Sequence, residues 1–178
     1  MLPKVIKSET RYVGRAFRVL VDEVELRPGQ VVQLDVIEHT GAITLLPIDE
    51  ANNIWFVRQY RHAARQVLLE LPAGTLNPGE PPAVAANREL QEEIGMRAGR
   101  LEELASFYLA PGYSSELMHV FLAQELSASA LTPDEDEFLT IEKVPAAGVM
   151  AFIENGALRD AKSMVALLLA ARQGLLKV

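Results

Sequence analysis

Arg88, Glu89, Glu92 and Glu93 fall within the six-residue stretch RELQEE. On a helix, Glu89 lies three positions from Glu92 and four from Glu93, so the three carboxylates share one face. Like charges at these spacings destabilise a helix by roughly 0.2–0.5 kcal/mol per pair. Two arrangements offset that repulsion. One is a solvated acidic face, which glutamate tolerates because it is a good helix former. The other is a hard divalent cation. Mg²⁺ takes oxygen ligands and bridges protein carboxylates to substrate phosphate. Arg88, four positions before Glu92, can pair with it and steer the set.

The elements around this run must hold it in place. Pro81 and Pro82 suit a helix start and Gly95 suits its end, so the pattern predicts a helix over 82–94. Ala83, Ala85, Ala86, Leu90 and Ile94 supply its body and buried face. Upstream, FRVLVDEVEL and VVQLDVIEH read as two strands of a hairpin joined by RPGQ, and HTGA at 39–42 reads as a hinge. AITLLPI and NIWFVRQY are two further strands across the polar turn DEANN, and VLLELPAG is a short strand leading into the glutamate segment. Beyond the helix, strands are expected near RLEELASFYLA, SELMHVFLAQEL and FLTIEKV, then helices over about 146–155 and 160–173. Strands and helices mix without regular alternation, which predicts an α+β fold or a three-layer sandwich. The division expected is an N-terminal strand lobe over 1–41 and a second unit over 42–178.

Composition narrows the function. The chain has 178 residues, 49% of them hydrophobic, enough for one packed domain with a small extra lobe. Its net charge of −7 argues against a nucleic-acid partner, which would need a basic face. A small anionic substrate held by a few arginines and a metal remains compatible. There are no cysteines, so disulfides and thiolate chemistry are excluded. No apolar run reaches signal-peptide length at the start or membrane-spanning length near the end, so a soluble cytoplasmic protein without a membrane partner is expected.

The full spacing is more specific than the glutamates alone. Gly74, five residues, Glu80, seven residues, Arg88-Glu89-Leu90, one residue, Glu92-Glu93, one residue, Gly95-Met96 resembles the Nudix box at all nine positions. The resemblance implies an α/β/α sandwich, here with an N-terminal β-strand lobe, and a loop–helix–loop that binds divalent metal and a nucleoside diphosphate linked to a second moiety. Carried onto this sequence, it implies Glu89 and Glu93 as metal ligands and Glu92 as a further ligand or orienting carboxylate. Arg88 steers one of these glutamates, Glu80 supports the loop, and Gly74 permits a tight turn.

Four features outside the box are similar to the ADP-ribose pyrophosphatase branch: the strand lobe, VRQYRHAARQVLLELPAG, LAPGYSSE with Pro111, and GALRDAKSMVALLLAAR. That branch implies the Ala73 carbonyl as a metal ligand, Mg²⁺ or Mn²⁺ as cofactor, and a homodimer whose N-terminal lobes help build both sites. Arg58 and Arg61 can clamp phosphate bidentately or serve as surface or dimer contacts. Glu70 can meet substrate or form a salt bridge. Tyr113 is a candidate for stacking on adenine, whereas Trp55, in a strand, is expected in the core. The branch also implies a glutamate in the loop at Asp134, Glu135, Asp136 and Glu137 as general base or metal ligand, with Glu135 or Glu137 favoured. The expected reaction is hydrolysis of ADP-ribose to AMP and ribose 5-phosphate. Alternatives are another nucleoside diphosphate sugar such as GDP-mannose, or a sensor that binds ADP-ribose without turnover.

Overall fold

The computed structural model describes residues 2–132 and 138–176. Two units emerge: 1–41 together with 107–118, and 42–106 together with 119–178.

The first unit is built on a three-stranded antiparallel sheet in the order β1 (Lys4–Val13), β2 (Phe17–Arg27), β3 (Gln30–His39). The β2–β3 hairpin expected from sequence is present, with Gly29 at φ 80° in its turn, a left-handed backbone that favours glycine. Strand β1 was not singled out by the sequence pattern. Its sequence KVIKSETRYV does not alternate cleanly, and nearly every residue in it is exposed. Residues 107–118 join this unit through Ile37, whose N–H donates to the Tyr113 carbonyl (2.7 Å) and whose carbonyl accepts from Ser115 N–H (2.9 Å).

The second unit holds two sheets, ordered β10-β5-β6 and β7-β4-β9-β8. Their strands are β4 (Ala42–Pro47), β5 (Asn53–Arg61), β6 (Gln66–Glu70), β7 (Ala73–Thr75), β8 (Met96–Tyr108), β9 (Leu117–Ala128) and β10 (Thr140–Pro145). All six residues of β4 are buried, as a strand covered on both faces requires. Ile43 and Leu45 pack with Ala85, Ala86 and Leu90 of helix α1 (Pro82–Glu93), together with Trp55, Val57 and Phe121. Alternation turns Thr44 and Leu46 to the opposite face, and helix α3 (Ala161–Arg172) also packs on β4. Helix, sheet and helix therefore stack as the sandwich expected from sequence.

Two expected elements are divided. The stretch 67–74 is split into β6 and β7 by Leu71-Pro72, where proline has no N–H for a ladder. The Pro72 carbonyl is still used, accepting from Leu45 N–H (2.8 Å) and Thr44 Oγ1 (3.2 Å). The expected helix over 146–155 is a short 3₁₀ turn, Ala146–Gly148, followed by α2 (Met150–Glu154). Trp55 is in the core as expected. It is buried, its Nε1 donates to Asp49 Oδ2 (3.0 Å), and the Lys143 ammonium sits 3.7 Å above its ring centroid.

Candidate active site

Helix α1 begins at Pro82, where the fixed φ suits a first turn and the missing N–H costs nothing. It ends where Gly95 adopts φ 67°. Its apolar face is buried on β4, which turns Glu89 and Glu93 toward the loop that joins β6 to β7 and the helix. Both carboxylates are 6% exposed.

Ala73 N–H donates to Glu93 Oε2 (3.0 Å). Gly74 lies under Glu89, where an added Cβ would sit 1.9 Å from both Cδ and Oε1 of that carboxylate. No side chain fits there. Gly74 is required by the close approach of Glu89, and its backbone is not left-handed. Two carboxylates one turn apart thus converge on the same two backbone residues, Ala73 and Gly74.

Arg88 is the hub of the helix–loop junction. Its Nε and Nη2 donate to the two oxygens of Glu80 (3.0 Å each), and Nη1 donates to Glu89 Oε1 (2.6 Å) and Glu92 Oε2 (2.8 Å). Nη2 also reaches the Thr75 carbonyl (3.3 Å). The bonds to Glu80, helped by the Glu89 charge, outweigh the lowering effect of burial and hold the Arg88 pKa above its ordinary value. Glu80 moves the opposite way, held below the usual carboxylate range chiefly by Arg88. Glu80 also accepts from Asn77 N–H (3.0 Å) and Asn77 Nδ2 (3.1 Å), which closes the loop ahead of the helix. The like-charge repulsion on this face is therefore offset, within the chain itself, by one guanidinium shared among three glutamates.

Among the described residues, no three side chains of the His, Cys, Asp and Glu types converge as a ready cation cage. Arg88 lies between Glu89 and Glu92, and Glu93 turns to Ala73. The donor set still suits a hard cation. It consists of oxygens only, two of its carboxylates are buried, and the glycine beneath Glu89 leaves no room for a side chain to fill the approach.

The remaining candidates occupy different places. Arg61, at the end of β5, grips Glu70 bidentately, Nε to Oε1 and Nη2 to Oε2, both 2.7 Å. Glu70 is 1% exposed and also accepts from Lys162 Nζ. Burial pushes the Glu70 carboxyl up, but the Arg61 hydrogen bonds and the Lys162 charge outweigh it and hold the pKa below the ordinary value. Arg58 donates from Nε to Glu142 Oε2 (2.6 Å) across the β5–β10 pair. Tyr113 belongs to the first unit. It is 60% exposed beside a surface cleft of about 800 Å³ that Asp35, Val36, Tyr108 and Ser114 also line. Asp134, Glu135, Asp136 and Glu137 lie outside the described residues. Lys162, Asp160 and Ser163 were missed by the sequence reading. The only local signal was a charged pair opening an otherwise apolar helix.

A glycine-backed pair of buried carboxylates, on a helix packed over a mixed sheet, defines a loop–helix–loop site suited to anionic phosphate held through a cation. The NUDIX domain model matches residues 38–167, and the chain belongs to the Nudix family. It is 36% identical over 165 residues to a methanol dehydrogenase activator from Bacillus methanolicus, covering 92% of this chain and 89% of that protein. It is 35% identical over 166 residues to an ADP-ribose pyrophosphatase from Bacillus subtilis, covering 92% and 90%. The fold matches the crystal structure of an ADP compounds hydrolase with a TM-score of 0.87 at 29% identity, over 100% of this chain and 98% of that one.

Proposed function

We propose that this chain is a divalent-metal-dependent hydrolase that cleaves the diphosphate of ADP-ribose to AMP and ribose 5-phosphate. The observation that carries this reading is the convergence of Glu89 and Glu93 on Ala73 and Gly74, with no space for a side chain between them. Glu89, Glu93 and the Ala73 carbonyl are the proposed Mg²⁺ or Mn²⁺ ligands, with Glu92 as a further ligand or orienting group. The chemistry such a cation supplies when bound is neutralisation of the diphosphate charge and a lowered pKa for a coordinated water.

The chain's own residues do the rest. Arg88 fixes the rotamers of Glu89 and Glu92 and joins them to Glu80. Arg61, and Arg58 when it exchanges Glu142 for substrate, are proposed to take phosphate oxygens through their guanidinium forks. Tyr113 is proposed to offer its exposed ring to adenine. Carboxylates committed to a cation are poor bases, so a separate acid from 134–137, Glu135 or Glu137, is proposed to accept the proton of the attacking water. The chain is further proposed to act as a cytoplasmic homodimer. Among the described residues, no helix is long and apolar enough to cross a membrane.

The test is a substrate panel with Mg²⁺ and product analysis. ADP-ribose is expected to give a higher kcat/KM than GDP-mannose, ADP-glucose or NADH, with AMP and ribose 5-phosphate as products. GDP-mannose cleaved better by about tenfold, 1.4 kcal/mol in transition-state binding, would overturn the substrate choice and leave the metal chemistry standing. ADP-ribose bound but never cleaved would overturn the enzymatic reading.

A further inference from the structure

The buried ionic cluster behind Arg61 is larger than a link between two strands needs. Both oxygens of Glu70 are occupied. Oε1 accepts from Arg61 Nε, and Oε2 accepts from Arg61 Nη2 and from Lys162 Nζ. Lys162 comes from the first turn of α3, ninety-two positions along the chain, and is 8% exposed. It is held in turn by Asp160 Oδ1 at 2.9 Å. Asp160 caps α3 by accepting from Ser163 N–H (3.0 Å), and Ser163 Oγ accepts from Leu71 N–H (2.7 Å), next to Glu70. The two cations balance the two anions.

Burying such groups is costly, and apolar side chains of equal volume commonly hold two elements together as well or better. What the ionic version adds is direction. The side chains of Glu70, Lys162 and Asp160 are 2%, 10% and 15% exposed, while that of Arg61 is 41% exposed. The chain of contacts from Asp160 through Lys162 and Glu70 therefore reaches solvent at the Arg61 guanidinium. Arg61 spends Nε and Nη2 on Glu70, which leaves the Nη1 edge for a further acceptor. The Glu93 charge also acts on Arg61, so the guanidinium lies within electrostatic reach of the box helix.

We propose that Lys162 is a positioning residue for substrate: it fixes the Glu70 carboxylate, and Glu70 holds the Arg61 guanidinium toward the diphosphate of the bound nucleotide. This rests on the functional reading above and assigns a role to the start of α3. A guanidinium held by one carboxylate alone can swing about that contact. With Glu70 gripped from the other side, the fork keeps one orientation before substrate arrives, and less ordering is required on binding.

The test is a double-mutant cycle read as the Kd for ADP-ribose by calorimetry with Ca²⁺ in place of Mg²⁺. Lys162→Met is expected to weaken binding about tenfold, the order of one impaired charge-assisted hydrogen bond, and Arg61→Met at least as much. The double variant is expected to bind no worse than Arg61→Met alone, within about threefold, because the two residues act in series. Lys162→Arg keeps the charge and is expected to restore most of the affinity. Thermal unfolding checks that each variant is folded, and Lys162→Gln replaces the methionine variant if that one is not.

A Lys162 variant that is folded and binds like wild type overturns the proposal. So does a double variant whose loss is the product of the single losses, because that marks independent structural damage. Wild type that binds ADP-ribose without cleaving it overturns the hydrolase reading and leaves the cycle readable. If wild type takes only GDP-mannose, the substrate choice falls alone. The same cycle is then read on GDP-mannose, which presents the same diphosphate.

Discussion

Gly74 separates steric from conformational necessity at the scale of single residues. Its backbone is one that alanine adopts, so Gly74→Ala should not strain the chain. The new Cβ would nonetheless lie 1.9 Å from the Glu89 carboxylate and must displace it. The expected outcome is a cooperative thermal transition like wild type, a higher divalent-cation requirement, and kcat/KM lower by at least about a hundredfold, near 3 kcal/mol. Melting curves and metal titrations of activity check this. A variant with an unchanged metal requirement would show that Glu89 is not a ligand. Glu93→Gln keeps an oxygen for the Ala73 N–H and so should fold, yet lose on the order of a thousandfold in turnover. Excess chelator should remove the activity of wild type, and full turnover in either condition would sink the metal reading. The residue types and spacing of this site were legible in the sequence because they follow from helix geometry. What was not legible is that Arg88 alone bridges Glu80, Glu89 and Glu92. A guanidinium reaching both along the helix and back across the loop depends on the loop's closure by Asn77, which spacing does not encode.

At the scale of elements, the boundaries that were legible are those with local chemical causes. Helix α1 spans Pro82–Glu93 because proline starts it and a left-handed glycine stops it, within one residue of the expected end. Strand β1 and the β6–β7 break had weaker signals. The first mixes polar and apolar residues on both faces, and the second turns on Pro72, which has no N–H to continue the ladder while its carbonyl still accepts from Leu45 and Thr44. The contact between β6 and α3 had none, since it joins Glu70 to Lys162 across ninety-two positions. That contact makes a pH prediction. Burial raises the Glu70 pKa, but Arg61 and Lys162 together bring it below the ordinary carboxylate value. Ionised Glu70 thus contributes stability that is fully present above the unfolded pKa of about 4.3 and is lost as pH falls through the lower folded value. Glu70→Gln should cost on the order of 2–3 kcal/mol near neutral pH, less than a fully stranded buried cation because Asp160 still pairs with Lys162. Urea unfolding of wild type and variant should give a difference that is flat from about pH 6 to 8 and shrinks below about 4.3. A difference that grew on acidification would contradict the sign argued here.

At the scale of the whole molecule, the N-terminal sheet poses a problem of solvation. Its strands leave Val5, Ile6, Tyr12, Val13, Val31 and Leu34 between 46% and 68% exposed. Scattered surface apolar groups need no explanation, but six from one three-stranded sheet are more than a small sheet sheds into water without cost. In the homodimer proposed above, a second copy of the chain would cover this surface. Light scattering is expected to give twice the 19.6 kDa mass of one chain at micromolar concentration. Val5→Asp combined with Val13→Asp should shift the population to monomer, because burying two unpaired carboxylates at an interface costs several kcal/mol. Each change lies on an exposed position, so the folded monomer should survive. If the lobes help complete both sites, the monomeric variant should lose kcat/KM for ADP-ribose while keeping a cooperative unfolding transition, and a chain truncated to 42–178 should be inactive. A wild-type monomer at micromolar concentration, or a fully active truncation, would remove the second copy from the account. The exposed face of the sheet would then need a different partner.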